Sequence, residues 1–214
     1  MEKLFVTYGK TVSMDVDAQN GFTPNCLNEL PVPEGDKIVE ECNKNATKAA
    51  FRYMSKDAHP NQSAWTVDEK PMLAPVGLPN VDVCWPRHCV VGTYGFELIE
   101  GLPKPSEYNF IVYKGAEFDM HPYSPIYHDL AKKISTGVIE KAKCDGVDTF
   151  ILGGLALDYC LGEAAFDLKN AGFRVIVNLG ATRAIGNALE FVERAKEKGI
   201  EFVETADEIS ELPF

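Results

Sequence analysis

Short, nearly continuous apolar runs alternate along the chain with stretches in which apolar residues recur every three to four positions. The first kind reads as strands buried on both faces, the second as helices that cover a sheet. Strands are expected at Thr11–Asp17, Lys48–Ser55, Asn109–Tyr113, Thr149–Gly153 and Phe173–Leu179, with a short sixth at Glu201–Val203. Helices are expected near 34–47, 125–144, 160–171 and 183–198, the last two followed by Gly172 and Gly199 as stop signals. Strands separated by helices imply an α/β fold: one domain spanning 1–214, with three α/β/α layers around a central parallel sheet. Residues 57–108 break the alternation. They are rich in Pro, Gly and Asn, yet hold both tryptophans, Trp65 and Trp85, and two histidines, His59 and His88. A long irregular stretch inside a compact domain that carries such residues points to function. No internal repeat or low-complexity tract is present.

Composition narrows the picture. A length of 214 residues suits one domain, and 45% hydrophobic with 25% charged residues is ordinary globular usage. The net charge of −11 opposes nonspecific binding to nucleic acid or to an anionic membrane. No apolar run approaches the ~20 residues of a membrane span. The first ten residues lack the apolar core and small-residue cleavage site of a signal peptide, so a cytoplasmic address is expected. Six scattered cysteines (26, 42, 84, 89, 144 and 160) are then expected to be reduced. Cys84 and Cys89 lie close together, but no second cysteine pair completes a metal site with them.

The chemistry gathers at strand ends. In an open parallel sheet, ligands bind outside the carboxyl ends of the strands. The first strand ends in Asp17-Ala-Gln-Asn-Gly-Phe22, the second in Ser55-Lys-Asp57-Ala-His59, the third in Tyr113-Lys114-Gly115. The fourth leads through Leu155-Ala-Leu-Asp-Tyr159 to Cys160, which opens a helix. There, unpaired backbone N–H groups and the positive dipole end favour thiolate over thiol. Taken singly, each residue has an ordinary structural reading: a turn aspartate, a solvated lysine, a buried cysteine. Together they suit acyl transfer through a thioester. Cys160 would attack a carbonyl carbon, Asp17 would accept and return the proton, and Lys114 would hold both anions. Backbone N–H groups of Ala156 and Cys160 could form an oxyanion hole. Asp57, His59 and His88 offer one carboxylate and two imidazoles, a set suited to one divalent ion such as Zn²⁺, Fe²⁺ or Mn²⁺.

These segments carry a family resemblance. Asp17-x-Gln-Asn-x-Phe22, Lys114-Gly115 and Gly154-Leu-Ala-x-Asp-Tyr-Cys160 resemble the isochorismatase-like cysteine hydrolases. Asp57-x-His59 and Trp85-Pro-x-His88-Cys-x-x-Gly-Thr-x-Gly95 look like the nicotinamidase branch, and the likeness runs roughly from residue 12 to 205. The resemblance implies hydrolysis of nicotinamide to nicotinate and ammonia in NAD salvage, with pyrazinamide as a further substrate. It implies a catalytic triad of Asp17, Lys114 and Cys160, and a metal, Zn²⁺ foremost, on Asp57, His59 and His88. It places a cis peptide at Leu155–Ala156 and aromatic substrate walls at Phe22, Trp85 and Tyr159. The segment 24–33 would form part of the rim.

Two departures stand out. The neighbourhood Asn61-Gln-Ser-Ala-Trp65 offers no His or Glu, so water is expected to complete the metal sphere, with Ser63 as the alternative oxygen donor. Where many relatives carry an acidic residue after the lysine, this chain has Met120-His121-Pro122, and His121 is expected at the pocket mouth without a catalytic role. Members of the family are often dimers or larger, and nothing in the sequence fixes the number for a homo-oligomer here. Three rival readings remain open: another small-amide hydrolase of the same family, a metallohydrolase whose nucleophile is water, and a catalytically silent binding protein.

Overall fold

The computed structural model describes residues 3–67 and 72–212. Among them the order of elements is β1 (Leu4–Val6), β2 (Thr11–Val16), α1 (Val39–Ala46), β3 (Phe51–Asp57), β4 (Pro75–Leu78), β5 (Val81–Val83) and β6 (Phe110–Lys114). There follow α2 (Val138–Cys144), β7 (Thr149–Leu155), α3 (Cys160–Asn170), β8 (Arg174–Arg183), α4 (Ala188–Glu197), β9 (Glu201–Val203) and β10 (Ile209–Glu211). Six strands form the central sheet in the order β6-β3-β2-β7-β8-β9, every neighbouring pair parallel. The chain begins this sheet in its middle with β2, winds outward through β3 to β6, then returns to the other side of β2 and winds out through β7, β8 and β9. The winding therefore reverses between β2 and β7, and the crevice at that reversal is where such sheets bind ligands.

Every residue of β2 and of β7 is buried, as expected for strands with helices on both sides. Alternation along β7 divides the core. Phe150 and Leu152 pack with Val138 and Ala142 of α2, Leu161 and Leu168 of α3, and Phe191 of α4. Ile151 packs on the opposite face with Val6, Ile176 and Ile209, where α1 brings Cys42 against Ala181. Burial of each Leu or Phe on α3 and α4 stabilises by roughly 1.5–3 kcal/mol, so the first turn of α3 is held against the sheet by several such contacts.

Five expectations need correction. The helix expected over 125–144 is only α2; the segment before it is held open by local side-chain bonds. Asp129 Oδ1 accepts from the N–H groups of Lys133 (2.9 Å) and Ile134 (2.8 Å), and Thr136 Oγ1 donates to Pro125 O at 2.7 Å. Such bonds compete with a helix for the same backbone groups. The helix expected at 34–47 is a 3₁₀ turn at Gly35–Ile38 followed by α1. Strand β3 starts at Phe51 rather than Lys48 and runs on to Asp57, while β8 continues past Leu179 to Arg183. The last helix consequently starts at Ala188, where the Asn187 side chain accepts from Glu190 N at 3.3 Å. Two small pairs went unforeseen: parallel β1–β10, which joins the chain ends, and the antiparallel β4–β5 hairpin within 57–108.

Gly154, with φ +119°, lies in β7 beside β2, and a Cβ there would overlap the carbonyl of Val16. The close approach of these two strands is what brings their carboxyl ends together. Replacing Gly154 by Ala should cost about 3 kcal/mol from backbone strain and overpacking. In a chain of this size that is a fall of about 6–12 °C in Tm by calorimetry. An unchanged Tm would show that the strand spacing does not depend on this glycine.

Candidate active site

Four neighbouring strands deliver their last residues to one edge. Asp57 ends β3 and Lys114 ends β6, and the two are direct register partners. Asp17 follows β2 in the left-handed region, φ 44°, a conformation that Asp tolerates better than most residues. Its N–H lies 3.2 Å from Ser55 O and Ser55 Oγ, and the Ser55 hydroxyl donates to Asp17 Oδ1 at 2.7 Å. After β7 the chain passes through a cis peptide at Leu155–Ala156 and enters α3 at Cys160. Among the described residues, the N–H groups of Ala156 and Cys160 donate to no turn or loop carbonyl.

Lys114 is the hub. Its ammonium pairs with Asp17 Oδ2 at 3.2 Å, contacts Asp57 Oδ1, donates to Pro122 O at 3.1 Å and approaches Cys160 Sγ at 3.7 Å. Burial alone would push its proton off, but the charges of Asp17, Asp57 and Cys160 outweigh burial and hold Lys114 well above its ordinary value. Asp57 is also buried, yet Lys114 and His59 keep it well below the usual carboxylate range. Asp17 moves the other way: burial, helped by Asp57 and opposed by Lys114, raises it to about 6. The Cys160 thiol is pushed up by burial more than Lys114 draws it down, and the Asp17 carboxylate accepts its proton. This amends the expectation of a standing thiolate. The resting group is a thiol beside a carboxyl raised toward neutrality and a buried ammonium.

Gln19, which the sequence reading quoted without a role, fixes this edge. Its Oε1 accepts from Asp57 N at 2.7 Å, while its Nε2 donates to Asp57 O at 2.9 Å and Phe96 O at 3.0 Å. One amide thus ties the end of β2 to the end of β3 and to the irregular segment. Its signal in the sequence was the Asp-x-Gln-Asn spacing.

Beside Asp57 stands a histidine group. His59 Nε2 lies 3.5 Å and His88 Nε2 3.8 Å from Asp57 Oδ2. Their Nδ1 atoms face carbonyls, Gly115 O at 2.9 Å and Pro86 O at 2.7 Å. A carbonyl only accepts, so each Nδ1 carries a proton, which leaves Nε2 as the ring atom turned toward Asp57 and available to a metal. His59 Nε2 is buried without a hydrogen-bond partner. His121, expected at the pocket mouth, belongs to this group: one ring nitrogen each of His59, His88 and His121 lie within 4.8 Å of one another. Burial, with His59 next, lowers His88 to about 3 and His121 well below its usual value, so both rings stay neutral. Two imidazoles that turn Nε2 toward an ionised carboxylate, and a buried ring nitrogen without a partner, fit a divalent cation. Asp17, Asp57 and Cys160 also cluster within 4.8 Å, but there the Lys114 ammonium already supplies the positive charge. All six cysteines are unpaired, and Cys84 and Cys89 join neither cluster.

A pocket opens between the thiol and the histidines. Phe22, Trp85 and Tyr159 line it with Ala156, Cys160, His121 and Leu30 of the expected rim, and Tyr123 and Ile185 join them unforeseen. Tyr123 braces the wall: its hydroxyl pairs with Asp82 at 2.9 Å and lies 3.3 Å from Trp85 Nε1. Leu30 belongs to the 24–33 segment, which is anchored because Glu29 Oε2 accepts from Cys89 N at 2.8 Å.

A parallel sheet that winds both ways from β2, with its reactive groups at the reversal, is the fold of the isochorismatase-like hydrolases. No protein-family profile matches the chain. It is 33% identical over 174 residues to the nicotinamidase of Acinetobacter baylyi, covering 79% of each sequence. On that evidence the chain belongs to the nicotinamidase family. The solved nicotinamidase/pyrazinamidase of Acinetobacter baumanii superposes with a TM-score of 0.84 at 27% identity, covering 93% of this chain and 98% of that one. The pyrazinamidase of Pyrococcus horikoshii, solved in complex with zinc, gives 0.73 at 30% identity over 91% and 98%.

Gly115 tests the metal side of this geometry. A Cβ on it would lie 2.5 Å from His59 Cε1 and displace the ring whose Nδ1 it holds. Gly115→Ala should weaken Zn²⁺ binding by about 10–100-fold in a competition titration. Unaltered affinity would mean that His59 is not held in place by this turn.

Proposed function

We propose that this chain hydrolyses nicotinamide to nicotinate and ammonia through a thioester on Cys160, and that pyrazinamide, a ring of the same shape, is also a substrate. The observation that carries the reading is the approach of Lys114 Nζ to Cys160 Sγ, 3.7 Å, beside Asp17 in a narrow aromatic-walled pocket. The kinship to a nicotinamidase at 33% identity names the amide.

The steps follow from the charges. Asp17 takes the thiol proton as Cys160 Sγ attacks the carboxamide carbon, and Lys114 stabilises the sulfur anion. The oxygen that gains negative charge meets the N–H groups of Ala156 and Cys160. Asp17 returns its proton to the nitrogen as the C–N bond breaks, and ammonia leaves. A water molecule, deprotonated by Asp17, attacks the thioester carbon; the C–S bond breaks, nicotinate departs, and the sulfur regains the proton. Phe22, Trp85 and Tyr159 hold the flat ring and exclude bulk water. Asp57, His59 and His88 would hold one divalent ion, Zn²⁺ foremost, which when bound supplies a Lewis acid for the ring nitrogen. The zinc complex of the Pyrococcus horikoshii relative supports that ion. Six unpaired cysteines suit a reducing compartment such as the cytoplasm, and kinship to nicotinamidases fits a part in NAD salvage.

Ammonia release from nicotinamide tests the mechanism. Cys160→Ala should lower kcat by on the order of 10³-fold or more with the circular dichroism spectrum unchanged. Retained turnover in that variant would discard the thioester and favour water as the nucleophile. Chelation to a verified metal-free state should lower kcat/KM, and Zn²⁺ should restore it. Equal kinetics with and without the ion would remove its assigned part.

A further inference from the structure

We propose that His121 is itself a protein ligand of the divalent ion, so that the site offers one carboxylate and three imidazoles. The inference rests on the metal-site reading above and replaces the water or Ser63 expected from the sequence.

The first observation is placement. His121 is 5% exposed and shares the 4.8 Å cluster with His59 and His88 although it comes from a different segment, the loop after β6. Its ring lies nearly parallel to that of His59, at 23° and 5.4 Å between centroids, and is confined by Trp65 at 4.4 Å and Trp85 at 6.0 Å. The backbone holds it there: His121 N donates to Asn80 O at 2.8 Å, and the next residue, Pro122, accepts from the Lys114 ammonium. The loop that caps the catalytic lysine thus also sets this imidazole.

The second observation is independent of placement. His121 Nδ1 is buried with no hydrogen-bond partner, as is His59 Nε2. A histidine kept only for packing would have its polar atoms bonded or wet. Two unpartnered ring nitrogens in one histidine cluster are explained together by a single cation that takes both lone pairs. Ser63 Oγ is buried and unpartnered too, but a neutral hydroxyl is a poor donor beside an imidazole.

The consequence is selectivity. With Asp57 as the one anionic donor, a bound divalent ion keeps a net charge of about +1 and three nitrogen ligands. Nitrogen-rich sites favour borderline ions such as Zn²⁺ and Co²⁺ over oxygen-seeking Mn²⁺.

The test is metal binding on the purified full chain, stripped of metal and titrated with Zn²⁺ against a chelating indicator, with folding checked by circular dichroism. His121→Ala should weaken Zn²⁺ by at least about 100-fold, whereas Ser63→Ala should leave it unchanged. His121→Glu, which keeps a donor and guards against a packing defect, should still bind and should shift the Zn²⁺-to-Mn²⁺ affinity ratio toward Mn²⁺. In the Co²⁺-loaded protein, His121→Ala should alter the visible absorption bands. Wild-type affinity and an unaltered cobalt spectrum in His121→Ala overturn the proposal, as does an unaltered ion ratio in His121→Glu. His59→Ala separates the two levels of failure. If it loses Zn²⁺ while His121→Ala does not, only the role of His121 falls; if neither loses it, the metal-site reading falls with it.

Discussion

The buried ammonium of Lys114 is the constraint on which this active site depends. An isolated buried cation costs several kcal/mol in lost hydration, and Lys114 is 1% exposed. What retains its charge is the company of Asp17, Asp57 and Cys160, three groups that are negative or can become so. The reverse also holds. Without Lys114, two buried carboxylates would face one another and one would remain protonated. The cluster therefore exists only as a whole, and its members come from four adjacent strands or their extensions. The parallel sheet and its winding reversal are what bring those four ends to one edge.

The charges within the cluster are uneven, and the unevenness assigns the roles. Asp57 lies beneath the ammonium and beside two imidazoles and stays ionised. Asp17, raised by burial and by Asp57 against the pull of Lys114 and the Ser55 hydrogen bond, stands at about 6. Of two carboxylates on one lysine, one is held as an anion and the other is raised toward neutrality, which suits the proposed base. The position of Asp17 just past the end of β2, in the left-handed region, sets it apart from Asp57, which is still within its strand.

Much of this was legible in the sequence because apolar runs announce strands, and reactive residues directly after such runs fall at a sheet edge. Asp17, Asp57, Lys114 and Cys160 could be found that way, and the structure brings all four together. The ring-nitrogen cluster that His121 joins and the wall residue Tyr123 could not, and Leu30 was reached only as part of the 24–33 rim. They arrive from loops, where no periodicity says which way a side chain turns, and their places depend on distant partners such as Asn80, Asp82 and Cys89. Helix lengths were overestimated for a related reason. Apolar residues over 125–137 imitate a helical stripe, but Asp129 and Thr136 satisfy the backbone in another way. Strands of three residues, β1 and β10, are too short to show a pattern at all.

The irregular segment completes the argument, because it gives the site two halves with one shared member. Asp57 turns Oδ1 to Lys114 and Oδ2 to His59 and His88. The cysteine half and the histidine half therefore draw on a single charge, and any movement of Asp57 would be felt in both. Gln19 prevents that movement by bonding both backbone groups of Asp57, and the same amide holds Phe96, in the segment that carries His88. Lys56, buried next to Asp57 in β3, adds a second tie by resting its ammonium 3.5 Å from the centroid of the Phe96 ring. A loop so long would ordinarily be mobile. Here it is clamped to the strand ends at the one carboxylate whose position both halves of the site require.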